Sequence, residues 1–371
     1  MRVFFPQNVF GWALCVYGIL FSSLSLDALE IGDPAPDFLL PATDGKIYSL
    51  KDFANAKVLV VVFTCNHCPT SQAYEDRLMA ISGDYDSRNV ALVAISSNDP
   101  LAFRMDELGY SAVDDSFEGM KVRAQIRGFE FPYLYDGADQ KAALLYRPRV
   151  TPHVFVFGED RSLFYSGRID NAVDPAKANL KDLRVAIESV LKGKKIRTPT
   201  TKVFGCSIKW SDRRALAAKD LARLDREKVS LKALDDDTFL FLLENKSKLL
   251  RLFVVWSPDG ENNMKEFDQL VEIHRRFRKR GLEIITIAAQ NDFNEEKILS
   301  FLRERHASCR NYFRTRGVGE LFDKLGAKPS AHPFIMLVKP GGDIPYRRAG
   351  DLDSLGLKRS ILKVIGRNFS P

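Results

Sequence analysis

Cysteine is scarce in this chain, with five residues in 371, at positions 15, 65, 68, 206 and 309. A fold stapled by several disulfides needs more, and closer, pairs, so that class is excluded. A single CxxC occurs, Cys65-Asn66-His67-Cys68. No second pair is present to complete the four-ligand set that a structural zinc site usually takes, which speaks against zinc. The longest N-terminal apolar run falls short of the roughly 20 residues that a membrane-spanning helix needs. No stretch has the layout of a nucleic-acid-binding module, so the formal charge of +7 does not point to nucleic acid. Lack of apolar residues is not a feature here: 45% hydrophobic and 11% aromatic content excludes disorder for the bulk of the chain.

The length suits two domains of about 150 residues each. Arg2 precedes an apolar run from Val9 to Leu24, with Ser22, Ser23, Ser25 and Ala28 at or just past its end. A positive start, a short apolar core and small residues form the pattern of a signal peptide, expected over residues 1–29. An uncleaved N-terminal anchor gives the same exported, extracytoplasmic location, and Cys15 belongs to this segment in either case. The positive charge is concentrated between Leu191 and Lys232, where thirteen Lys/Arg face four Asp/Glu, a net of +9. This basic connector, residues 193–232, reads as a solvated linker, with weak contact to an anionic membrane surface as the other reading.

Two passes of βα pattern flank the connector, over residues 30–192 and 233–371. In the first, Asp44-Gly45 marks a hairpin turn, and Val58 to Phe63 is a continuous valine-rich run of the kind found in a strand buried on both faces. Tyr74, Leu78 and Ile81 then recur at helical spacing, and Val90 to Ile95 forms the next buried strand. Helices are predicted near Phe117–Ile126, Gln140–Tyr146 and Leu180–Leu191, and strands over Val154–Phe157 and Leu163–Tyr165. The second pass repeats the order. Leu252–Trp256 stands for the first buried strand, Ser257-Pro258-Asp259-Gly260 falls where the CxxC fell, and Phe267, Leu270 and Ile273 line the next helix. Ala331-His332-Pro333 precedes Phe334–Val338 as Val150-Thr151-Pro152 precedes the strand beginning at His153. The chain therefore reads as α/β, with two copies of one fold.

The CxxC between a buried strand and a helix has a chemical logic. At a helix N-terminus, unpaired N–H groups and the helix dipole favour a thiolate. This places Cys65 as the nucleophile, Cys68 one turn inside as the resolving thiol, and Pro69 in the first turn, where its missing N–H costs nothing. His67 adds positive charge or a hydrogen bond that favours thiolate further, and stabilising the reduced form makes the disulfide a stronger oxidant.

Gly32 to Phe38, the Cys65-to-Pro69 motif, Phe131-Pro132-Tyr133-Leu134-Tyr135-Asp136 and the tail Gly205-Cys206-Ser207-Ile208-Lys209-Trp210 together resemble the redoxin branch of the thioredoxin superfamily, which covers AhpC/TSA-type and TlpA/ResA-type proteins. The resemblance spans about residues 31–210; the second copy resembles thioredoxin-like domains in layout only. It implies a central sheet flanked by helices and thiol–disulfide exchange at the CxxC, with no cofactor or metal. The implied partners are protein thiols and disulfides and a redox partner. It also implies a cis-proline loop facing the dithiol. Pro152 matches that proline, and the Thr151 backbone is then expected to pair with an extended substrate segment, forming a substrate groove. A trans proline at a strand start is the other reading of Pro152. Cys206 reads either as a third redox thiol or as a packing cysteine.

Several departures from the family pattern stand out. Leu59 occupies the place of the buried acid of thioredoxins, and Ser71 that of the acid of TlpA/ResA-like proteins, so proton transfer needs another group. A peroxidase of the peroxiredoxin type needs Ser or Thr three residues before its reactive cysteine, where this chain has Cys65 before Cys68 and Val62 before Cys65. A peroxide-reducing redoxin is thus the first rival reading. A copper-binding chaperone of thioredoxin fold is the second, since two cysteines and a histidine suit Cu(I). The second copy, lacking a CxxC, reads as a degenerate domain that binds clients or only stabilises the chain.

Overall fold

The structure, a computed structural model, describes residues 28–257, 263–289, 294–314, 317–326 and 333–366. All but the last two residues of the expected export segment lie outside the described residues, as do Pro258-Asp259-Gly260 and Ala331-His332. Among the described residues, no helix is long and apolar enough to cross a membrane.

The hairpin at Asp44-Gly45 pairs Leu39–Pro41 (β1) with Ile47–Ser49 (β2). Beyond it, Val58–Thr64 (β3) is the central strand of a five-stranded sheet and is buried along its whole length. Its β-branched residues explain why: with both faces covered there is no alternation to keep, and valine packs well on a pleated surface. Val90–Ser96 (β4) lies parallel to β3, and Tyr133–Tyr135 (β5) parallel to β4. His153–Phe157 (β6) runs antiparallel on the other side of β3, followed by Leu163–Gly167 (β7). The order is thus β5-β4-β3-β6-β7. Four helices accompany this sheet: Pro69–Asp86 (α1), Phe117–Arg127 (α2), Lys141–Tyr146 (α3) and Asp182–Leu191 (α4). Helix α1 buries Tyr74, Leu78, Ile81 and Tyr85, and α4 buries Leu183, Ala186 and Ile187, in the core on the sheet's Val58/Val60/Val62 face. The opposite face, Leu59/Val61/Phe63, meets Ala142, Ala143 and Tyr146 of α3.

A helix, Arg214–Asp225 (α5), follows the tail and leads into a six-stranded sheet. Leu231–Ala233 (β8) is its edge, then Asp236–Glu244 (α6) leads to the central strand Leu250–Trp256 (β9). Asn263–Phe277 (α7), Leu282–Ala289 (β10), Glu295–Glu304 (α8), Arg310–Arg314 (β11), Val318–Leu325 (α9), Phe334–Val338 (β12), Tyr346–Ala349 (β13) and Ser354–Ile365 (α10) complete it. The order β13-β12-β9-β10-β11-β8 repeats the first sheet strand for strand, with β8 added at one edge. The expected start of the second copy at residue 233 cuts through β8. The basic stretch 193–232 is not a free linker either, since Ile208 and Lys209 are buried against the first unit and Ala217 and Leu224 of α5 are buried too.

The two units meet where α7 and the turn after it face the 3-10 segment Met105–Tyr110. Arg276, 1% exposed, donates Nη2 to the carbonyls of Leu108 (3.0 Å) and Ser111 (2.8 Å). Arg280 Nη1 donates to Gly109 O at 2.7 Å and Lys279 Nζ to Asp106 at 2.6 Å. Position 109 must be glycine for this approach, because a Cβ there would stand 2.3 Å from the Arg276 carbonyl oxygen. Replacing Arg276 with Met keeps bulk but strands two buried carbonyls. We expect a loss of about 2–3 kcal/mol in stability, read as a lower urea midpoint. An unchanged midpoint would show that this contact adds nothing to stability.

Candidate active site

Proline dictates where the first helix starts. The residue before a proline is pushed out of the α region, and Cys68, ahead of Pro69, accordingly takes φ −72° and ψ 118°. Helix α1 therefore begins at Pro69, with Cys68 as its N-cap, and the Cys68 Sγ accepts the Ser71 N–H at 3.4 Å. This corrects the expectation that Cys65 sits at the helix N-terminus with Cys68 a turn inside. Cys65 instead directly follows β3, four positions before Pro69.

The two thiols meet at Thr151. Cys65 Sγ contacts Thr151 Oγ1 at 3.1 Å and lies 3.9 Å from Ser71 Oγ, while Cys68 Sγ reaches Thr151 O at 3.4 Å. The Thr151–Pro152 bond is cis, and this turn faces the dithiol. Cys65 and Cys68 are 2% and 0% exposed. The Thr151 backbone is not an open groove. It is already paired with Cys206 of the tail: Thr151 N–H donates to Cys206 O at 2.9 Å and Cys206 N–H to Thr151 O at 3.1 Å. The Cys206 carbonyl also accepts Thr151 Oγ1 at 3.5 Å, which sets this residue beside the same turn that Cys65 and Cys68 touch.

The residues between the cysteines are clamped by Asp115, which precedes α2. Its Oδ1 accepts the backbone N–H of Asn66 at 2.6 Å and of His67 at 3.1 Å. Its Oδ2 accepts Asn98 Nδ2 at 2.7 Å and lies 2.6 Å from His67 Nδ1. The His67 ring stands edge-on to Phe103 with centroids 4.7 Å apart. Around this clamp, Gln72 Nε2 donates to Asn66 O (2.7 Å) and Tyr110 O (3.0 Å), and Tyr133 OH donates to Asn66 Oδ1 (3.1 Å). The carboxylate stays ionised although burial pushes its pKa up. The neighbouring His67 and the hydrogen bonds from His67, Asn98 and Asn66 outweigh that and hold it below the ordinary value.

The electrostatics split the pair. Burial, the bond to Cys68 and the charge of Asp115 push the Cys65 thiol well above the usual range. Burial also opposes ionisation of Cys68, but hydrogen bonds with Cys206 and Cys65, the His67 ring and the Ser71 N–H overcome it and bring Cys68 well below that range. The helix cap and the His67 ring thus favour a thiolate on Cys68, while burial and Asp115 disfavour one on Cys65. The His67 ring is turned to Asp115. His153 lies in β6, with Nδ1 accepting the Arg149 N–H at 3.1 Å and Nε2 3.1 Å from Ser166 Oγ. Cys309 belongs to the second core, where burial pushes its thiol up to about 12.

Asp115 was missed in the sequence. It lies 48 residues from His67, beside Asp114, in a stretch with no motif of its own. Cys65, His67 and Asp115 could together hold a metal ion, since their ligand atoms all lie within 4.8 Å of one another. A carboxylate is a hard ligand and suits Cu(I) poorly.

Residues 31–166 match the AhpC/TSA family model. A Helicobacter pylori protein (strain 26695) that carries the provisional name peroxiredoxin bcp is 31% identical over 71 residues, 19% of this chain and 47% of its own length. The chain thus spans about half the length of the curated relatives it matches. A hypothetical protein from Sinorhizobium meliloti 1021, of solved structure, is 34% identical, with 50% of this chain and 96% of that one covered at a TM-score of 0.44. An uncharacterized conserved protein from Geobacillus kaustophilus is 32% identical, with 49% and 92% covered, also at 0.44.

Two measurements check this electrostatic picture. Ultraviolet thiolate absorbance, followed against pH, should show a thiolate forming well below the ordinary thiol value of about 8.5. The signal should persist in Cys65→Ser and vanish in Cys68→Ser, and the reverse pattern would return the thiolate to Cys65. Asp115 has a folded pKa below its unfolded value of about 3.9, so its stabilisation is complete above that value and is lost as pH falls through the folded one. Melting temperature should fall on acidification below about pH 4, and Asp115→Asn should flatten that fall while lowering the melt at pH 7. An equally steep acid fall in Asp115→Asn would assign it to other groups.

Proposed function

We propose that this chain, whose residues 31–166 belong to the AhpC/TSA family of thioredoxin-fold redoxins, is a thiol–disulfide oxidoreductase that exchanges disulfides with protein substrates through Cys65 and Cys68. The observation that carries the reading is the placing of two buried thiols against the Thr151–Pro152 turn, with Cys68 capping the first helix. Thiol–disulfide exchange needs a thiolate to attack and a second thiol within reach to resolve the mixed disulfide. Cys68 meets the first requirement and Cys65 the second. His67 and Asp115 act as positioning residues: they fix the loop between the cysteines and set the charge that each thiol feels. No cofactor enters this chemistry. The partners are protein thiols and disulfides, together with a redox partner that restores the dithiol or disulfide after each turnover.

The peroxide-reducing reading is supported by the family and by the name of the Helicobacter pylori relative. It meets an obstacle in the residues themselves, since the position three before Cys68 is Cys65 and that three before Cys65 is the buried Val62, and neither bears the hydroxyl such a peroxidase needs. The hydroxyl nearest Cys65 is that of Thr151, from the other side of the site.

Insulin reduction driven by dithiothreitol tests the proposal directly. The full-length protein should accelerate it, and Cys65→Ser and Cys68→Ser should each lower the rate by about 100-fold or more. Peroxide consumption assayed alongside should stay at background. Wild-type insulin reduction by either serine variant would remove the dithiol from the mechanism, and peroxide turnover without insulin reduction would favour the rival.

A further inference from the structure

Cys206 stands in an unusual relation to the dithiol. Thr151 joins all three cysteines: its backbone pairs with that of Cys206, its carbonyl accepts the Cys68 thiol at 3.4 Å, and its hydroxyl lies 3.1 Å from Cys65 Sγ. The three differ in exposure. Cys65 is 2% exposed and Cys68 is fully buried, whereas Cys206 is half-buried between exposed Gly205 and Ser207.

The tail holds Cys206 in place from both sides. Downstream, Lys209 N–H donates to Asn98 Oδ1 at 2.8 Å, its carbonyl accepts Asp99 N–H at 2.9 Å and Gln140 Nε2 at 2.9 Å, and its Nζ pairs with Glu107 at 2.7 Å. Upstream, Phe204 packs on the first core and against the Tyr74 ring. Gly205 makes the approach feasible: at φ +151° its absent Cβ would lie 2.0 Å from Thr151 O. The segment thus fills the position beside the cis-proline turn that an extended client would occupy. A client cannot reach the buried pair by that route while the tail is seated.

We propose that Cys206 is a third redox thiol, the one that meets protein clients, and that it passes the disulfide to and from the buried pair through Cys68. The inference rests on the reading of Cys65 and Cys68 as an exchanging dithiol. In the oxidising direction, the Cys206 thiolate attacks Cys68 Sγ of the Cys65–Cys68 disulfide. The Cys68–Cys206 bond forms, the Cys65–Cys68 bond breaks, and Cys65 leaves with the electron pair and takes up a proton, with no net change in oxidation state. A client thiolate then attacks Cys206 Sγ, and Cys68 departs as the thiolate that its surroundings favour, which makes it a good leaving group. A second client thiol attacks the client sulfur of that mixed disulfide, and Cys206 leaves and is protonated. The client loses two electrons as its disulfide forms, and the enzyme gains them as two thiols. Run backwards, the same steps reduce a client disulfide. The Cys206 thiol is pushed up by its bond to Cys68 and by burial, and then by the charge on Cys68. Tying Cys68 into a disulfide removes both of its contributions, so Cys206 gains acidity in the oxidised protein, when it has to attack.

Full-length variants test the relay by peptide mass spectrometry after oxidation with diamide. Cys65→Ser should form the Cys68–Cys206 disulfide, and Gly205→Ala in that background should slow its formation by about tenfold or more. Cys206→Ser should still form Cys65–Cys68 yet exchange with reduced, unfolded ribonuclease about tenfold slower than wild type or worse. In Cys68→Ser, the mixed disulfide with that client should map to Cys206. A mixed disulfide on Cys65 alone, wild-type client exchange by Cys206→Ser, or no Cys68–Cys206 bond in Cys65→Ser would each overturn the relay while leaving exchange by the buried pair intact. Absence of any Cys65–Cys68 disulfide or client exchange in the wild type would instead overturn the underlying oxidoreductase reading, and the relay with it.

Discussion

The site depends on a single buried anion. Asp115 has 0% exposure and lies in the first unit's interior beside the dithiol. Such a charge is costly unless every lone pair is met. Here the partners are the two backbone N–H groups between the cysteines, the Asn98 amide and the His67 ring. That single set of bonds does three things at once: it fixes the loop, it orients His67, and it places a negative charge near Cys65. The asymmetry between the two thiols follows from it together with the helix start at Pro69. The departure from the family pattern at Leu59 is also answered in part. A buried carboxylate is present, but it reaches the dithiol from the segment before α2.

Much of the architecture was legible because it rests on local pattern. Val58–Phe63 and Leu252–Trp256 are continuous apolar runs, and both became central strands of sheets with matching order. The strand Arg310–Arg314 was not legible, because arginines at both ends mask its pattern. Arg310 pairs with Glu283 and Arg314 with Asp236, contacts that only the tertiary fold supplies. At the site, Cys65, His67, Cys68, Thr151, Pro152 and Cys206 were all named from the sequence, and the structure gathers them. What failed was the placing of the helix start. Its cause was in plain view, since Pro69 bars Cys68 from the helix and makes it the cap. Asp115 was a different kind of miss: a contact over 48 residues leaves no trace in a single sequence.

The tail changes the meaning of the cis-proline turn. An unpaired backbone edge next to a reactive sulfur offers a client strand a place to dock. In this chain the edge is filled by residues 205–206 of the same molecule, and the anchoring of Lys209 beside Asn98 ties that segment to the clamp around Asp115. Tail, clamp and dithiol form one hydrogen-bonded assembly.

The 3-10 segment Met105–Tyr110 belongs to this assembly as well, and it is the part that the second unit grips. Glu107 holds Lys209, the Tyr110 carbonyl receives Gln72, and the Leu108, Gly109 and Ser111 carbonyls are taken by Arg276 and Arg280 from the second unit. Asp115 follows a few residues later. The half of the chain without a CxxC therefore acts as a buttress for the half that has one. A cut made in the connector would not yield two units with no bearing on each other. It would take the backing away from the wall against which the reactive sulfurs are set, and any mutation that loosens α7 would reach the active site by the same masonry.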